Sequence, residues 1–319
     1  MTWLRSAFAL AGAALMLTGC GGGGPAATAA KTTAAAPAST STSPGAAVRP
    51  VDVVDAPTRI ARTAAGPVGY REVGAGSPVV LIMGLGGSID DWQPAFVAGL
   101  AAEHRVVVFD NAGIGKTGPV PAPLSITGMA NQASALITTL GLDRTAVLGW
   151  SMGGMIAQAL AVLHPAQVSR LILAATQPGT GNALPVPAAA AAAVLSPNPA
   201  AVLSVLFPPG QVRAEQAYAI GILRYPDFYQ APRAVISAQA LAVQQWIAGK
   251  DPAGRQLGQL RLPTLVADGT LDQLDPVAND HLLADSVPGA RLILYPGAGH
   301  AFLFQDLTSF LSAVQRFLG

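Results

Sequence analysis

The segment Gly149-Trp150-Ser151-Met152-Gly153 sets a serine between two glycines in the pattern G-x-S-x-G. A serine hydroxyl attacks a carbonyl carbon only when a base takes its proton and a third group holds that base in place. With 35 glycines among 319 residues, the pattern alone is weak. Its context is stronger. The apolar run Ala146 to Trp150 reads as a buried strand ending at the motif, and the helical run Met152 to Leu163 begins directly after it. That is the strand–turn–helix setting in which a serine is exposed at a sharp bend. Glycines at 149 and 153 remove side chains where the chain turns, and Gly154 lets the helix pack closely. Ser151 is therefore the candidate nucleophile.

The base must come from His104, His164, His281 or His300. His104 precedes a strand, at the wrong edge. His164 closes the helix after the motif, and His281 lies in a charged helical stretch. His300 follows Gly297-Ala298-Gly299 just past the strand ending at Tyr295, where a short glycine loop can bring an imidazole over the serine. It is the candidate base. The acid that would hold its tautomer is sought among Asp268, Asp272 and Asp275, all near the end of the strand Thr264 to Ala267. Asp268 directly ends that strand, Asp275 precedes Pro276 as an N-cap would, and Asp272 lies between them on the loop.

The elements that must position these residues alternate. Thr58 to Thr63 and Val68 to Val73 read as a hairpin with Gly66-Pro67 as its turn. Short apolar runs of the buried parallel type follow: Val79 to Met83, Val106 to Phe109, Ala146 to Trp150, Leu171 to Ala174, Thr264 to Ala267 and Leu292 to Tyr295. Helical patterns at Asp91 to Ala102, Ile126 to Leu140, Met152 to Leu163 and Phe302 to Leu318 lie among them. This spacing predicts an α/β fold with a mostly parallel sheet and helices on both faces. The alternation breaks between residues 177 and 250, where only helical patterns occur, as at Ala188 to Leu195, Gln211 to Tyr225 and Arg233 to Ile247. The expectation is a helical insertion over the C-terminal edge of the strands. It carries Phe207, Tyr218, Tyr225, Phe228, Tyr229 and Trp246, which either pack it down or line an acyl pocket. With few charges there, uncharged acyl groups are expected to fit best.

These residues resemble the α/β-hydrolase superfamily, whose chain order of Ser, acid, His is matched by Ser151, Asp272 and His300. The resemblance covers Thr58 to Gly319 and implies an eight-stranded, mostly parallel α/β-hydrolase sheet with a helical cap at 177–250 and a core of 51–176 and 251–319. The family's acid loop runs Gly, two residues, Asp, then Pro four later. Gly269, Asp272 and Pro276 fit it and favour Asp272. An oxyanion needs two donors. One is the backbone N–H of Met152, at a helix N-terminus. By resemblance the other is the N–H of Leu85 in Met83-Gly84-Leu85-Gly86-Gly87. Many relatives carry His at the place of Met83, a side chain that often braces this loop. The loop Asp110 to Gly115 resembles another of the family's and is read as structural.

The resemblance implies a serine hydrolase of carboxylic esters that works through an acyl-serine on a small-molecule ester. Thioesterase, peptidase and cofactor-free perhydrolase chemistry occur on the same fold, and a non-catalytic binding protein could be built on it. Dehalogenases and epoxide hydrolases of this fold use Asp where this chain has Ser151. No cofactor is implied. Four histidines without H-x-x-x-H or H-x-H pairing argue against a built-in metal, and one cysteine excludes a disulfide framework or thiolate zinc site. A balance of 18 basic and 17 acidic residues, with no basic block, gives nucleic acid nothing to bind. Hydrophobic residues at 51% against 11% charged exclude a solvated, disordered chain.

The N-terminus is of another kind. Arg5 is followed by an apolar run, Ala7 to Leu17, too short to span a bilayer. It ends Leu17-Thr18-Gly19-Cys20, which resembles the lipobox of bacterial lipoproteins and implies a signal peptide at 1–19 with lipidation of Cys20. Apart from Cys20, residues 20–50 are Gly, Ala, Ser, Thr and Pro with Lys31, Val48 and Arg49, a flexible tether. The expected place is the cell envelope, with the catalytic part held to a membrane through Cys20, outside the cytoplasm. The sequence does not speak to oligomeric state.

Overall fold

The computed structural model describes residues 52–142 and 144–319. The expected signal peptide, the tether and Cys20 lie outside them.

Eight strands form one sheet: β1 (Arg59–Thr63), β2 (Gly66–Val73), β3 (Ser77–Ile82), β4 (His104–Phe109), β5 (Thr145–Trp150), β6 (Val168–Ala174), β7 (Thr264–Gly269) and β8 (Arg291–Tyr295). Their order is β1-β2-β4-β3-β5-β6-β7-β8. β2 runs antiparallel to β1 and β4, and β3 through β8 are parallel. The order reverses about β3, so the loops leaving β3 and β5 diverge and open a crevice at the strands' C-terminal ends.

The central strands are buried on both faces, which is why they read as continuous apolar runs. Alternate residues serve opposite layers. Val80 and Ile82 of β3 join one core cluster with Ile126 and Leu136 of α2 (Ile126–Thr139) and Ile156 and Leu160 of α3 (Met152–Leu163). On the other layer α1 (Pro94–Ala101) supplies Phe96, which stacks on Phe310, with ring centroids 6.0 Å apart. Trp92 and Phe304 extend that aromatic group to Trp150 at the end of β5.

Between β6 and β7 lie α4 (Ala188–Val194), α5 (Pro199–Leu206), α6 (Val212–Ile222) and α7 (Arg233–Ile247). The last three described helices are α8 (Val277–Ser286), α9 (Phe302–Gln305) and α10 (Leu307–Leu318). The α4–α7 segment is tied to the core by its aromatic residues. Tyr225 donates to the Trp92 carbonyl at 2.9 Å and Tyr218 to the Asp91 carbonyl at 3.1 Å. The Trp246 indole, fully buried, donates to the Gln177 carbonyl at 3.1 Å.

Local details depart from the sequence expectations. The hairpin turns at Ala64-Ala65 rather than Gly66-Pro67, because the Thr63 hydroxyl closes a two-residue loop by donating to the Gly66 carbonyl. Gly66 then begins β2 at φ +98°. The helix expected from Asp91 starts at Pro94, since proline is tolerated only in the first turn. Ahead of it stands a short 3-10 turn, Ile89–Asp91, capped by Ser88. The helix expected over Phe302 to Leu318 is broken at Asp306. α5 had no counterpart in the sequence reading, although Asn198 caps it and Pro199 opens it.

Candidate active site

Ser151 stands between β5 and α3 at φ 57°, ψ −125°. This is a conformation that side chains rarely adopt and that the surroundings must enforce. They do so by crowding: a Cβ on Gly149 would strike the Gly153 backbone, and one on Gly153 would strike the Ile82 carbonyl. The Ser151 N–H donates to Ala174 at 2.9 Å, and the Thr176 hydroxyl donates to the Ser151 carbonyl at 2.7 Å. The bend therefore leaves the Ser151 side chain on the edge of two cavities.

His300 follows β8 and is buried. Its Nδ1 donates to Asp272 Oδ2 at 2.6 Å, which leaves Nε2 as the proton-accepting nitrogen. The Trp150 indole donates to the His300 carbonyl at 2.9 Å, so the strand that ends at Ser151 also holds the His300 backbone. Asp272 Oδ1 accepts from the N–H groups of Leu274 and Asp275, at 2.6 and 2.9 Å. The Asp272 side chain is fully buried, and each of its oxygens is held by at least one of these three partners. Ser151 and His300 border the same cavities.

The other candidates are elsewhere. His104 opens β4 with Nδ1 2.9 Å from the Ser77 hydroxyl, His164 lies 2.8 Å from Asn131 Oδ1, and His281 is exposed on α8. Asp268 is still within β7 and accepts from the next N–H, that of Gly269, at 2.6 Å. Asp275 does not cap α8; it accepts from the Asn279 amide at 2.9 Å.

Behind Asp272 the carboxyl groups of Asp268, Asp275 and Asp280 are buried together, with oxygens within 4.8 Å of one another. Four of those oxygens have no hydrogen-bond partner. Burial, reinforced by the charge of Asp272, pushes Asp275 up to about 7. Burial and the charges of Asp275 and Asp272 push Asp280 up to about 9. Burial likewise raises Asp268 well above the ordinary carboxyl range. Asp280 is thus a neutral acid at pH 7. Sequence reasoning did not anticipate this cluster, because Asp280 reaches it only through the packing of α8 on β7.

The loop Met83 to Gly87 faces Ser151. The Gly86 N–H donates to Gln239 of α7 at 2.8 Å and the Gly87 N–H to the Gly84 carbonyl at 3.3 Å. The Asn111 amide donates to the Met83 carbonyl at 2.7 Å. Asn111, from the loop expected to be structural, and Gln239 are the braces of a loop that lacks histidine at position 83. Among the described residues, the N–H groups of Leu85 and Met152 have no hydrogen-bond partner, and both residues border the larger cavity. Gln239 was not singled out from sequence, since nothing local marks a contact 153 residues long.

The larger cavity, of about 460 Å³, is walled mainly by aliphatic side chains such as Met155, Val186, Val194, Val243 and Ile247. The smaller, of about 210 Å³, runs along the Met83 to Gly87 loop to Asp91, Ser196 and Tyr218. Of the six aromatic residues noted in the α4–α7 segment, only Tyr218 borders either cavity. Phe207, Tyr225 and Trp246 are buried in packing.

With this geometry in hand, comparison with known proteins is informative. The family described as the alpha/beta hydrolase fold matches residues 77–209. A candidate carbamate hydrolase, RutD, of Azorhizobium caulinodans is 30% identical over 239 residues, covering 73% of this chain and 88% of that one. An alpha/beta hydrolase fold protein from Chitinophaga pinensis superposes with a TM-score of 0.74 at 26% identity, covering 84% of this chain and 99% of that one. A thermophilic esterase from Thermogutta terrifontis does so with a TM-score of 0.66 at 25% identity, over 82% and 98%.

Proposed function

The chain belongs to the α/β-hydrolase family, and from that premise we propose that it is a serine hydrolase that cleaves carboxylic esters through an acyl-serine. The observation that carries this reading is the His300–Asp272 hydrogen bond of 2.6 Å beside a strained Ser151 that opens on an aliphatic cavity. His300 Nε2 takes the Ser151 proton as the hydroxyl oxygen adds to the ester carbonyl. The oxyanion that forms is received by the N–H groups of Leu85 and Met152, which are unclaimed by the fold. His300, now protonated and held by Asp272, gives its proton to the departing alcohol. Water then repeats the sequence on the acyl-serine, and the acid leaves.

The larger cavity is the acyl site in this reading. Its aliphatic walls stabilise an acyl chain by about 0.8 kcal/mol per buried methylene. Localisation in the cell envelope through a lipidated Cys20 is part of the same proposal and rests on the Leu17-Thr18-Gly19-Cys20 segment. Labelling with a fluorophosphonate tests the chemistry: wild-type protein should be labelled and hydrolyse aryl butanoates, and Ser151→Ala should lose both by several orders of magnitude. Unchanged turnover in Ser151→Ala would sink the proposal.

A further inference from the structure

The two cavities meet at the reacting centre. Leu85, Ser151, Val194 and His300 border both of them. An ester whose carbonyl lies at Ser151 therefore sends one half into each. The halves are met by different chemistry. The larger cavity is walled mainly by hydrocarbon, with Thr176, Gln177, Gln244 and the buried Asp275 at its edge, whereas the smaller is lined by Asp91, Ser196 and Tyr218 among its apolar residues.

Asp91 is set to act on a ligand. Its Oδ2 accepts from the N–H and the hydroxyl of Ser88, at 2.8 and 3.2 Å, which fixes the carboxyl in place. Its other oxygen accepts no hydrogen bond among the described residues. Tyr218 does not fill that role, since its hydroxyl is committed to the Asp91 backbone carbonyl. Nor does Arg71, whose guanidinium pairs with Asp90 at 2.9 Å, and among the described residues no salt bridge reaches Asp91. Burial first, and then the charges of Asp90 and Asp110, push the Asp91 carboxyl up to about 7. An ammonium or hydroxyl donor beside it would remove that penalty.

We propose that the smaller cavity is the alcohol site, and that Asp91 selects esters whose alcohol half carries a hydrogen-bond donor, an ammonium above all. The alcohol half is assigned there for a physical reason. It must leave before water can attack the acyl-serine, and a polar alcohol returns to water at little cost while the polar wall it vacates admits the water. This inference rests on the serine-esterase reading.

Two isosteric pairs test it. 2-(Dimethylamino)ethyl butanoate differs from 3-methylbutyl butanoate only by a protonated nitrogen in place of a CH in the alcohol half. Propyl 3-(dimethylamino)propanoate and propyl 4-methylpentanoate make the same exchange in the acyl half. In wild-type protein at pH 7.5, kcat/KM for the ammonium alcohol should exceed that of its isostere about tenfold. In Asp91→Asn, which keeps an acceptor for Ser88 but turns an NH₂ toward the ligand, that ratio should fall to one or below. Each ratio is taken within one preparation, so loss of folded protein cancels. The inference is overturned if the wild-type ratio is near one, if the preference survives in Asp91→Asn, or if it appears only with the ammonium in the acyl half. Hydrolysis of neither neutral ester would instead remove the esterase reading, and this inference with it.

Discussion

Asp280 offers a test of the buried acids behind the candidate triad. It is fully buried on α8 with neither carboxyl oxygen hydrogen-bonded, and its pKa is pushed from 3.8 up to about 9. A carboxyl raised in the folded state holds its proton more tightly there than in the unfolded chain. Its stabilisation is full below pH 3.8 and is lost as pH rises toward 9. Between pH 6 and 8 the unfolded chain has released this proton and the native state retains it. The slope for one such group is about 1.4 kcal/mol per pH unit, so two units cost about 3 kcal/mol. For a domain of this size that is roughly 6–12 °C in Tm. Asp280→Asn removes this titration while keeping the side chain's shape. Thermal melts followed by circular dichroism from pH 5 to 9 should show wild-type Tm falling as pH rises, and the fall between pH 6 and 8 should be smaller in the variant by about that amount. Groups remote from this carboxyl cluster are common to both proteins and cancel in the comparison. Parallel profiles for the two proteins would refute the reasoning.

Further expectations concern the chemistry and its location. Asp272→Asn should lower kcat by about 10⁴, as loss of the residue that holds the base's tautomer does, while Asp275→Asn should lower it less than tenfold; equal losses in steady-state kinetics would make Asp275 a partner in the acid's role. Gln239→Leu should lower kcat roughly tenfold with KM little changed, because it takes the acceptor from the half-buried Gly86 N–H at a cost of about 1 kcal/mol; an unaltered kcat would show that the loop holds itself. Cys20→Ala should move the protein from the membrane pellet to the soluble fraction, since stable anchoring needs two acyl chains or more; a fully processed variant that still pellets would count against lipidation at Cys20.

The parts of the fold that were legible in the sequence are those whose cause is local. β3 to β7 are short and largely buried on both faces, so each leaves an apolar run, and Met152–Leu163 begins and ends where its pattern does. The triad candidates were legible because each stands just past such a run, at the one edge where parallel strands deliver loops together. Local chemistry also explains the errors of detail. Trp92, Phe96 and Leu100 share helical spacing and are all fully buried, yet Pro94 excludes Trp92 from the helix. The carboxyl cluster, the Asp91 wall and the Gln239 brace were invisible for a different reason. Asp280, Asp91 and Gln239 are ordinary polar residues in helical or turn segments, and only tertiary packing takes them out of water. The aromatic residues of α4–α7 illustrate the same limit: composition showed that they were concentrated there, but only the packing decides that most of them fasten the segment to the core.

Gln239 also bears on how such a chain can acquire a new substrate. The helices over the crevice shape the cavities, and so they are the natural parts to exchange when selectivity is to be altered. Here one of them also supplies the acceptor that holds Gly86, the residue next to a proposed oxyanion donor. A transplanted helical segment would bring its own pocket but would leave the receiving loop unheld unless it happened to carry an amide at the matching turn. Selectivity and rate are therefore inherited together in this molecule, and a chimera that binds a new ester well but turns it over slowly can be repaired at a single position on α7, without touching the pocket.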